Sequence, residues 1–285
     1  MLSAFPDFYL IGAPKAGTTS LFRWFVQHPD VFVPAIKEPH YFSCPDVLDT
    51  YYDAAFVQEE HAYLGMYRDR TEARAGDFSS SYLYRHEAAD RIAAVASDAK
   101  IVVVLRNPID RAISHHRMDV RDGYTDARLI SHLKGEVDDE RFRREYIDVG
   151  MYSEQLSEWE KAFSSDQIHI ALYDDLVSNP ELTIGGICGF LGITAAAGGS
   201  FTQRANVASA PHRPFVRRIA SSSVVATAVA KLPPGFGYRL SSAVSRPAQP
   251  VDPTALEFLN DCFTEEIDRL EHRLDRDLSH WLNTN

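Results

Sequence analysis

Nine consecutive residues, Gly12-Ala13-Pro14-Lys15-Ala16-Gly17-Thr18-Thr19-Ser20, combine two glycines, one lysine and three hydroxyls directly after the apolar run Phe8 to Ile11. Strand, glycine-bearing turn and helix in that order make an anion site. The N–H groups of the turn converge, and the helix N-terminus adds partial positive charge. Gly12 and Gly17 keep the G-x-x-x-x-G spacing of a nucleotide P-loop, yet Thr18 stands where such a loop carries its lysine. Here the lysine, Lys15, lies inside the loop. A second anion group follows the run Ile101 to Leu105: Arg106, then Asn107-Pro108 opening a helix on which Ser114 falls two turns along. An arginine and a hydroxyl at the carboxyl end of a buried strand can grip a phosphate by charge-assisted hydrogen bonds. No acid follows that strand to hold Mg²⁺, which favours a metal-free reaction on a phosphate-like group over ATP hydrolysis.

Acid–base chemistry has two candidates after the first strand–helix unit, Glu38 and His40 in KEPHYF. An extended segment over 36–42 would turn both side chains to one face. The plainer readings are a surface carboxylate paired with Lys37 and a core-edge histidine beside Tyr41 and Phe42. His115 and His116 are adjacent on an expected helix, so they diverge by about 100°. With no H-x-E, HExxH or EF-hand pattern, no bound metal is expected.

Those residues need a scaffold, and the sequence describes one. Three apolar runs, Phe8 to Ile11, Lys100 to Leu105 and Gln167 to Leu172, read as buried parallel strands. Helical patterns separate them: Leu21, Trp24 and Phe25; His86 to Ser97; Leu156, Trp159 and Phe163; and a stretch from Asn179-Pro180 to about Leu191. The alternation predicts an α/β fold with a central parallel sheet flanked by helices, a P-loop-containing nucleotide-binding architecture. One domain over 1–285 is expected, closed by a long helix from Asp252-Pro253. Two stretches stand apart as substrate or lid excursions. Residues 119–148 are dense in charge and read as a solvated helical or loop excursion. Residues 205–253 hold seven of the fifteen prolines.

Composition narrows the function classes. At 285 residues, 45% hydrophobic and 24% charged, the chain is an ordinary globular protein. Its 40 acidic and 29 basic side chains give a net charge of −11, which argues against a general nucleic-acid or anionic-membrane binder. An anionic ligand therefore needs a focused site. Cys44, Cys188 and Cys262 are too far apart for a zinc motif. Neither a signal peptide nor a membrane span is visible, so a cytoplasmic protein is expected. Nothing in the sequence speaks to oligomeric state.

The segments PKAGTTSL and RNPIDRAISHH closely resemble the two cofactor signatures of the sulfotransferases that use 3′-phosphoadenosine 5′-phosphosulfate (PAPS). KEPHYF is similar to the segment bearing the catalytic glutamate in the heparan-sulfate type of that family. ALYDDLVSNPELTIGGICGFLGI resembles a family strand–helix unit, and RLEHRLDRDLSHW resembles the tails of bacterial members. The resemblance implies that Lys15, Ala16, Gly17, Thr18, Thr19 and Ser20 bind the 5′-phosphosulfate, with Lys15 at the bridging oxygen. It implies further that Arg106 and Ser114 bind the 3′-phosphate, that Tyr173 contacts adenine, and that Arg204 or Arg213 supplies a late basic contact. Glu38 would be the general base, with His40 as the other candidate. PAPS would be the co-substrate, the nucleotide product would be 3′-phosphoadenosine 5′-phosphate (PAP), and the acceptor a carbohydrate or other small molecule. One departure is visible: where heparan-type enzymes often carry a lysine, GDFSSSY has Phe78.

Two other readings stay open on the residues alone. A P-loop kinase or nucleotidase would need Mg²⁺ with ATP. A non-catalytic nucleotide-binding module would bind without transfer.

Overall fold

The computed structural model describes residues 5–49, 56–85, 87–137, 140–195, 209–210, 246–247 and 250–283. Five parallel strands form the central sheet in the order β2-β3-β1-β4-β5. They are β1 (Phe8–Leu10), β2 (Val31–Phe32), β3 (Arg74–Asp77), β4 (Lys100–Leu105) and β5 (Ile168–Leu172). The three apolar runs are β1, β4 and β5, within a residue of their expected ends. In β4 every residue from Ile101 to Leu105 is buried, which explains its unbroken apolar run. The two strands absent from the sequence reading, β2 and β3, are short, and β3 reads Arg-Ala-Gly-Asp. Gly76 has a steric reason to be there, because a Cβ would stand 2.3 Å from the Phe8 ring of the neighbouring strand.

Helices flank the sheet. α1 (Thr18–Phe25) buries Leu21, Trp24 and Phe25. The short α2 (Glu60–Gly65) and α3 (Ser81–Tyr84) precede α4 (Glu87–Val95), and α5 (Pro108–Asp122) follows β4. Asn107 caps α5 by accepting from the Ile109 N–H at 2.9 Å, and Pro108 takes its first position. Beyond α5 lie α6 (Leu129–Leu133), α7 (Glu140–Tyr146), α8 (Tyr152–Ala162), α9 (Tyr173–Ser178), α10 (Pro180–Leu191) and the closing α11 (Pro253–Leu274). α10 opens on Pro180 and ends at Gly192 with φ 71°. Asp252 caps α11 through the Thr254 N–H.

The charge-dense stretch 119–148 is helical over much of its described length and only partly solvated: Arg128, Lys134, Glu136, Glu140, Arg141 and Arg143 are exposed, while its other side is packed. Leu129, Ile130, Leu133, Phe142 and Tyr146 are buried, and so are Asp119 and Glu145. The 205–253 excursion lies mostly outside the described residues. What is described is the antiparallel pair β6 (Ser209–Ala210) and β7 (Arg246–Pro247), with β6 against α5. The C-terminal turn 279–283 ties two site-bearing junctions together. Asn107 donates to the Trp281 carbonyl oxygen at 2.8 Å, and the Trp281 indole donates to Asp174 at 2.7 Å. Among the described residues no helix is long and apolar enough to cross a membrane.

Candidate active site

Every site residue that the structure describes follows the carboxyl end of a strand or lies on the helix after it, along one edge of the sheet. That edge is where open α/β sheets bind ligands. β1 leads into the Gly12–Ser20 loop, whose first glycine is imposed by packing: a Cβ on Gly12 would stand 2.2 Å from the Val104 nitrogen. Lys15 (φ 71°) and Gly17 (φ 85°) both take left-handed backbone conformations, which curl the loop into a cradle before Thr18 starts α1.

Arg106, just past β4, closes the cradle from the side. Its Nη1 donates to the Lys15 carbonyl oxygen at 3.0 Å, and its guanidinium lies over the Tyr173 ring, 4.7 Å from the centroid. The buried Nε of Arg106 has no hydrogen-bond partner among the described residues, which leaves a donor for an anion. Tyr173, the first residue of α9, also packs on Gly17, where a Cβ would meet its ring at 3.1 Å. Ser114 is half-buried on α5. One turn further, Met118 receives the Lys15 ammonium at 3.2 Å from Sδ. Burial, reinforced by Arg121 and opposed by Asp122 and Asp119, pulls Lys15 down to about 8. A half-buried cation whose hydrogen-bond partner among the described residues is a thioether is ready to pair with an incoming anion.

The second half of the site follows β2. Here the segment 36–42 is not extended: Glu38 (φ 62°) and His40 (φ 57°) are both left-handed. The two side chains meet through a turn, not through strand alternation, with Glu38 Oε2 at 3.6 Å from His40 Nε2. Glu38 pairs with Lys37, as its plainer reading had it, and also accepts from Ser80 Oγ at 3.3 Å. Burial raises its pKa, but Lys37, His40 and the Ser80 hydroxyl outweigh that and hold it below the ordinary glutamate value. Burial lowers His40 despite the opposing Glu38 charge.

Three contacts fix the His40 ring: Nδ1 to Ser81 Oγ at 2.6 Å, Ser81 Oγ to Ser43 Oγ at 2.7 Å, and Ser43 Oγ donating to the His40 carbonyl oxygen at 3.0 Å. Each hydroxyl has one proton to give. Since a carbonyl cannot donate, Ser43 gives its proton there, Ser81 gives its own to Ser43, and Nδ1–H gives to Ser81. The neutral imidazole that satisfies these three contacts is thus protonated on Nδ1, with the Nε2 lone pair toward Glu38.

The structure brings together Lys15, Gly17, Arg106 and Tyr173, and separately Glu38 and His40. Arg204 and Arg213 lie outside the described residues. The adjacent histidines diverge as expected: His115 Nδ1 meets Arg111 Nη1 at 3.1 Å and His116 Nε2 meets the Ala127 carbonyl at 2.9 Å. Among the described residues, no group of three or more His, Cys, Asp or Glu side chains is placed to hold a metal ion. Phe78 points into the core, against Phe8, Phe22 and Phe25. Sequence reasoning missed Asp77, Ser79, Ser80, Ser81, Ser43 and Met118. The signal available was the serine triplet, but without β3 it had no position in the fold.

The chain is similar to known proteins in sequence and fold. A family model described as "Sulfotransferase domain" matches residues 5–208. A mouse heparan sulfate glucosamine 3-O-sulfotransferase 6 is 29% identical over 194 residues, covering 66% of this chain and 53% of the relative. The chain thus spans about half the length of that relative. A bifunctional heparan sulfate N-deacetylase/N-sulfotransferase 4, also from mouse, is 24% identical over 297 residues, covering 97% of this chain and 31% of its own length. Among solved structures, a sulfotransferase from Alicyclobacillus acidocaldarius superposes with a TM-score of 0.73 at 27% identity, covering 97% of this chain and 98% of its own.

Proposed function

Because this chain belongs to the sulfotransferase family, we propose that it transfers the sulfuryl group of PAPS to a hydroxyl of a carbohydrate or other small-molecule acceptor. The observation that carries the reading is the shared sheet edge: a cradle with a half-buried lysine after β1 and a carboxylate–imidazole pair after β2. The cradle fits the co-substrate on its own chemistry: among the described residues its half-buried cation meets a thioether sulfur, and an arginine N–H beside it has no partner.

PAPS supplies an activated sulfuryl group whose departure leaves negative charge on the 5′-phosphate. Lys15 stabilises that charge more in the transition state than in the ground state. The loop from Ala16 to Ser20 anchors the 5′ end by its N–H and hydroxyl groups. Arg106 and Ser114 take the 3′-phosphate, and Tyr173, already stacked on Arg106, contacts the adenine. Arg204 or Arg213 is our proposal for the late basic contact. Glu38 accepts the proton of the acceptor hydroxyl, and His40 stands beside it as the alternative acceptor of that proton. The relatives' names point to glucosamine residues of a heparan-type chain as the first acceptors to try. With Phe78 in the core, the site has no lysine at that position for an acid–base pair.

The test is transfer of radiolabelled sulfate from PAPS to a panel of glucosamine oligosaccharides, simpler sugars and phenols, with and without EDTA. Sulfation of at least one acceptor, indifferent to EDTA, is expected. Phosphate transfer from ATP that requires Mg²⁺ would replace this reading with the kinase one. Tight PAP binding with no transfer to any acceptor would leave a binding module.

A further inference from the structure

At the end of β3, Asp77 is fully buried and collects three hydroxyl donors. Ser79 Oγ donates to Oδ1 at 2.7 Å, Tyr63 OH to Oδ2 at 2.7 Å, and Tyr82 OH to Oδ2 at 2.9 Å. Two of these hydroxyls are accepters as well. The His40 N–H donates to Ser79 Oγ at 3.2 Å, and the Phe42 N–H donates to Tyr82 OH at 3.4 Å. A hydroxyl whose only proton is committed to a carboxylate has nothing but lone pairs to offer the other side. The carboxylate therefore orients both hydroxyls to receive the two loop amides.

That matters because the loop holds an unfavourable backbone. Glu38 and His40 are L-residues in the left-handed region, a conformation that persists only where the surroundings impose it. The imposing contacts converge from residues 79–82 and Ser43. Ser79 holds the His40 N–H, Ser43 its carbonyl, and Ser81 its ring. All but the Ser43 contacts originate from the segment that Asp77 starts.

We propose that Asp77 is a positioning residue for the acceptor-side base: through Ser79 and Tyr82 it fixes the backbone N–H groups of His40 and Phe42, and so the turn that aims Glu38 and His40 at the acceptor. Asp77 touches neither the co-substrate cradle nor a reacting atom; it acts through the loop. Burial pushes it up to about 6 even against its three hydroxyl donors, so those donors are what keep it ionised near neutral pH. The proposal rests on the reading of Glu38 and His40 as the acid–base pair.

Asp77→Asn is the test. A carboxamide leaves one oxygen where three donors arrive, and its NH₂ opposes at least one of them. Amide hydrogen exchange at His40 and Phe42 is expected to accelerate by about tenfold or more, with the β4 amides Val102 to Val104 unchanged. The imidazole titration of His40, followed by NMR, is expected to move up toward the ordinary histidine value as the ring escapes burial. Glu38 raises that titration and Lys37 lowers it in the intact loop. PAP affinity should be unaltered. Ser79→Ala removes the acceptor of the His40 N–H together with one of the three donors to Asp77, and leaves the Tyr82 link to Phe42 in place, so it serves if the Asn variant fails to fold, and it should loosen His40 more than Phe42. Unchanged exchange and an unchanged His40 titration would overturn the proposal. So would loosening spread evenly through the sheet, which would mark Asp77 as a general core residue. None of these readouts needs turnover, so a chain that transfers no sulfate would defeat the functional reading and leave this result standing.

Discussion

Arg106 donates from Nη1 to the carbonyl oxygen of Lys15 at 3.0 Å, joining the residue after β4 to the loop after β1. The two strands are hydrogen-bonded neighbours, and their loops converge because parallel strands end on the same edge. One side chain thus shapes the cradle and, with its Nε unpartnered among the described residues, keeps a donor for a ligand. Tyr173 stacks on the same guanidinium and on Gly17, so β5 contributes to the same point.

If Arg106 reads the 3′-phosphate, PAP should bind far more tightly than AMP, and Arg106→Ala should erase most of the difference. Losing one charge-assisted contact costs about 1.5–3 kcal/mol, or roughly ten- to a hundredfold in PAP affinity. AMP affinity should fall less, through the lost bond to the Lys15 carbonyl. Calorimetry with both nucleotides checks this, and an equal fall for PAP and AMP would assign Arg106 to loop architecture alone.

Lys15 sets an alkaline limit. Burial, with Arg121, draws its pKa in the free protein down to about 8, so raising the pH through that value discharges the cation. PAP affinity should therefore decline from about pH 8 upward, because only the charged form attracts the anion. Binding of the anion favours the charged form and shifts the bound pKa upward. Arginine stays charged throughout, so Lys15→Arg should lose the decline over the same range. A decline of the same midpoint in both proteins would place the titrating group elsewhere.

Two glycines of the loop should respond differently to alanine. Ile11 and Ala13 donate to the carbonyls of Val102 and Val104 at 2.9 and 2.8 Å, which pins Gly12 against β4. A Cβ 2.2 Å from the Val104 nitrogen can be relieved only by parting two core strands, so Gly12→Ala should cost about 3–5 kcal/mol. Gly17→Ala pays for a left-handed φ of 85°, about 1–2 kcal/mol, and presses on the movable Tyr173 ring. Urea denaturation midpoints give the ranking. Comparable losses would contradict the steric account of Gly12.

Much of the cradle was legible because it is contiguous: strand, loop and lysine lie within Phe8 to Ser20, and β4 hands directly to Arg106. The base side was legible only as a pair of residues. Its geometry depends on β3, a four-residue strand whose Arg-Ala-Gly-Asp sequence offers no apolar alternation to detect. The charged stretch 119–148 misled for a related reason. Asp119 is buried while accepting from Tyr146 OH at 2.7 Å, and Glu145 is buried with its pKa pushed up to about 7. Charge count reports solvent exposure only where charges neither find buried partners nor neutralise, and here the sequence could not show which did.

The last prediction separates Glu38 from His40. Both are held below their ordinary pKa values, so both are unprotonated near neutral pH and both would let kcat/KM fall only toward acid. The pH profile therefore cannot distinguish them. Substitution can. Glu38→Gln keeps the shape and one acceptor oxygen but cannot take a proton, so a carboxylate base predicts a loss of about 10²–10⁴ in rate with PAP binding intact. His40→Ala should then cost less, by loosening the turn and removing the partner 3.6 Å from Glu38 Oε2. The Nδ1 tautomer favoured by the Ser81 and Ser43 contacts supplies the competing expectation, since it leaves Nε2 to take the proton and Glu38 beside it to stabilise the resulting imidazolium. Under that scheme His40→Ala is the inactive variant and Glu38→Gln keeps most of its speed, because the carboxamide oxygen can still accept from Nε2–H. Rates of both variants on one acceptor, with PAP affinity as the control for folding, decide which nitrogen or oxygen receives the proton.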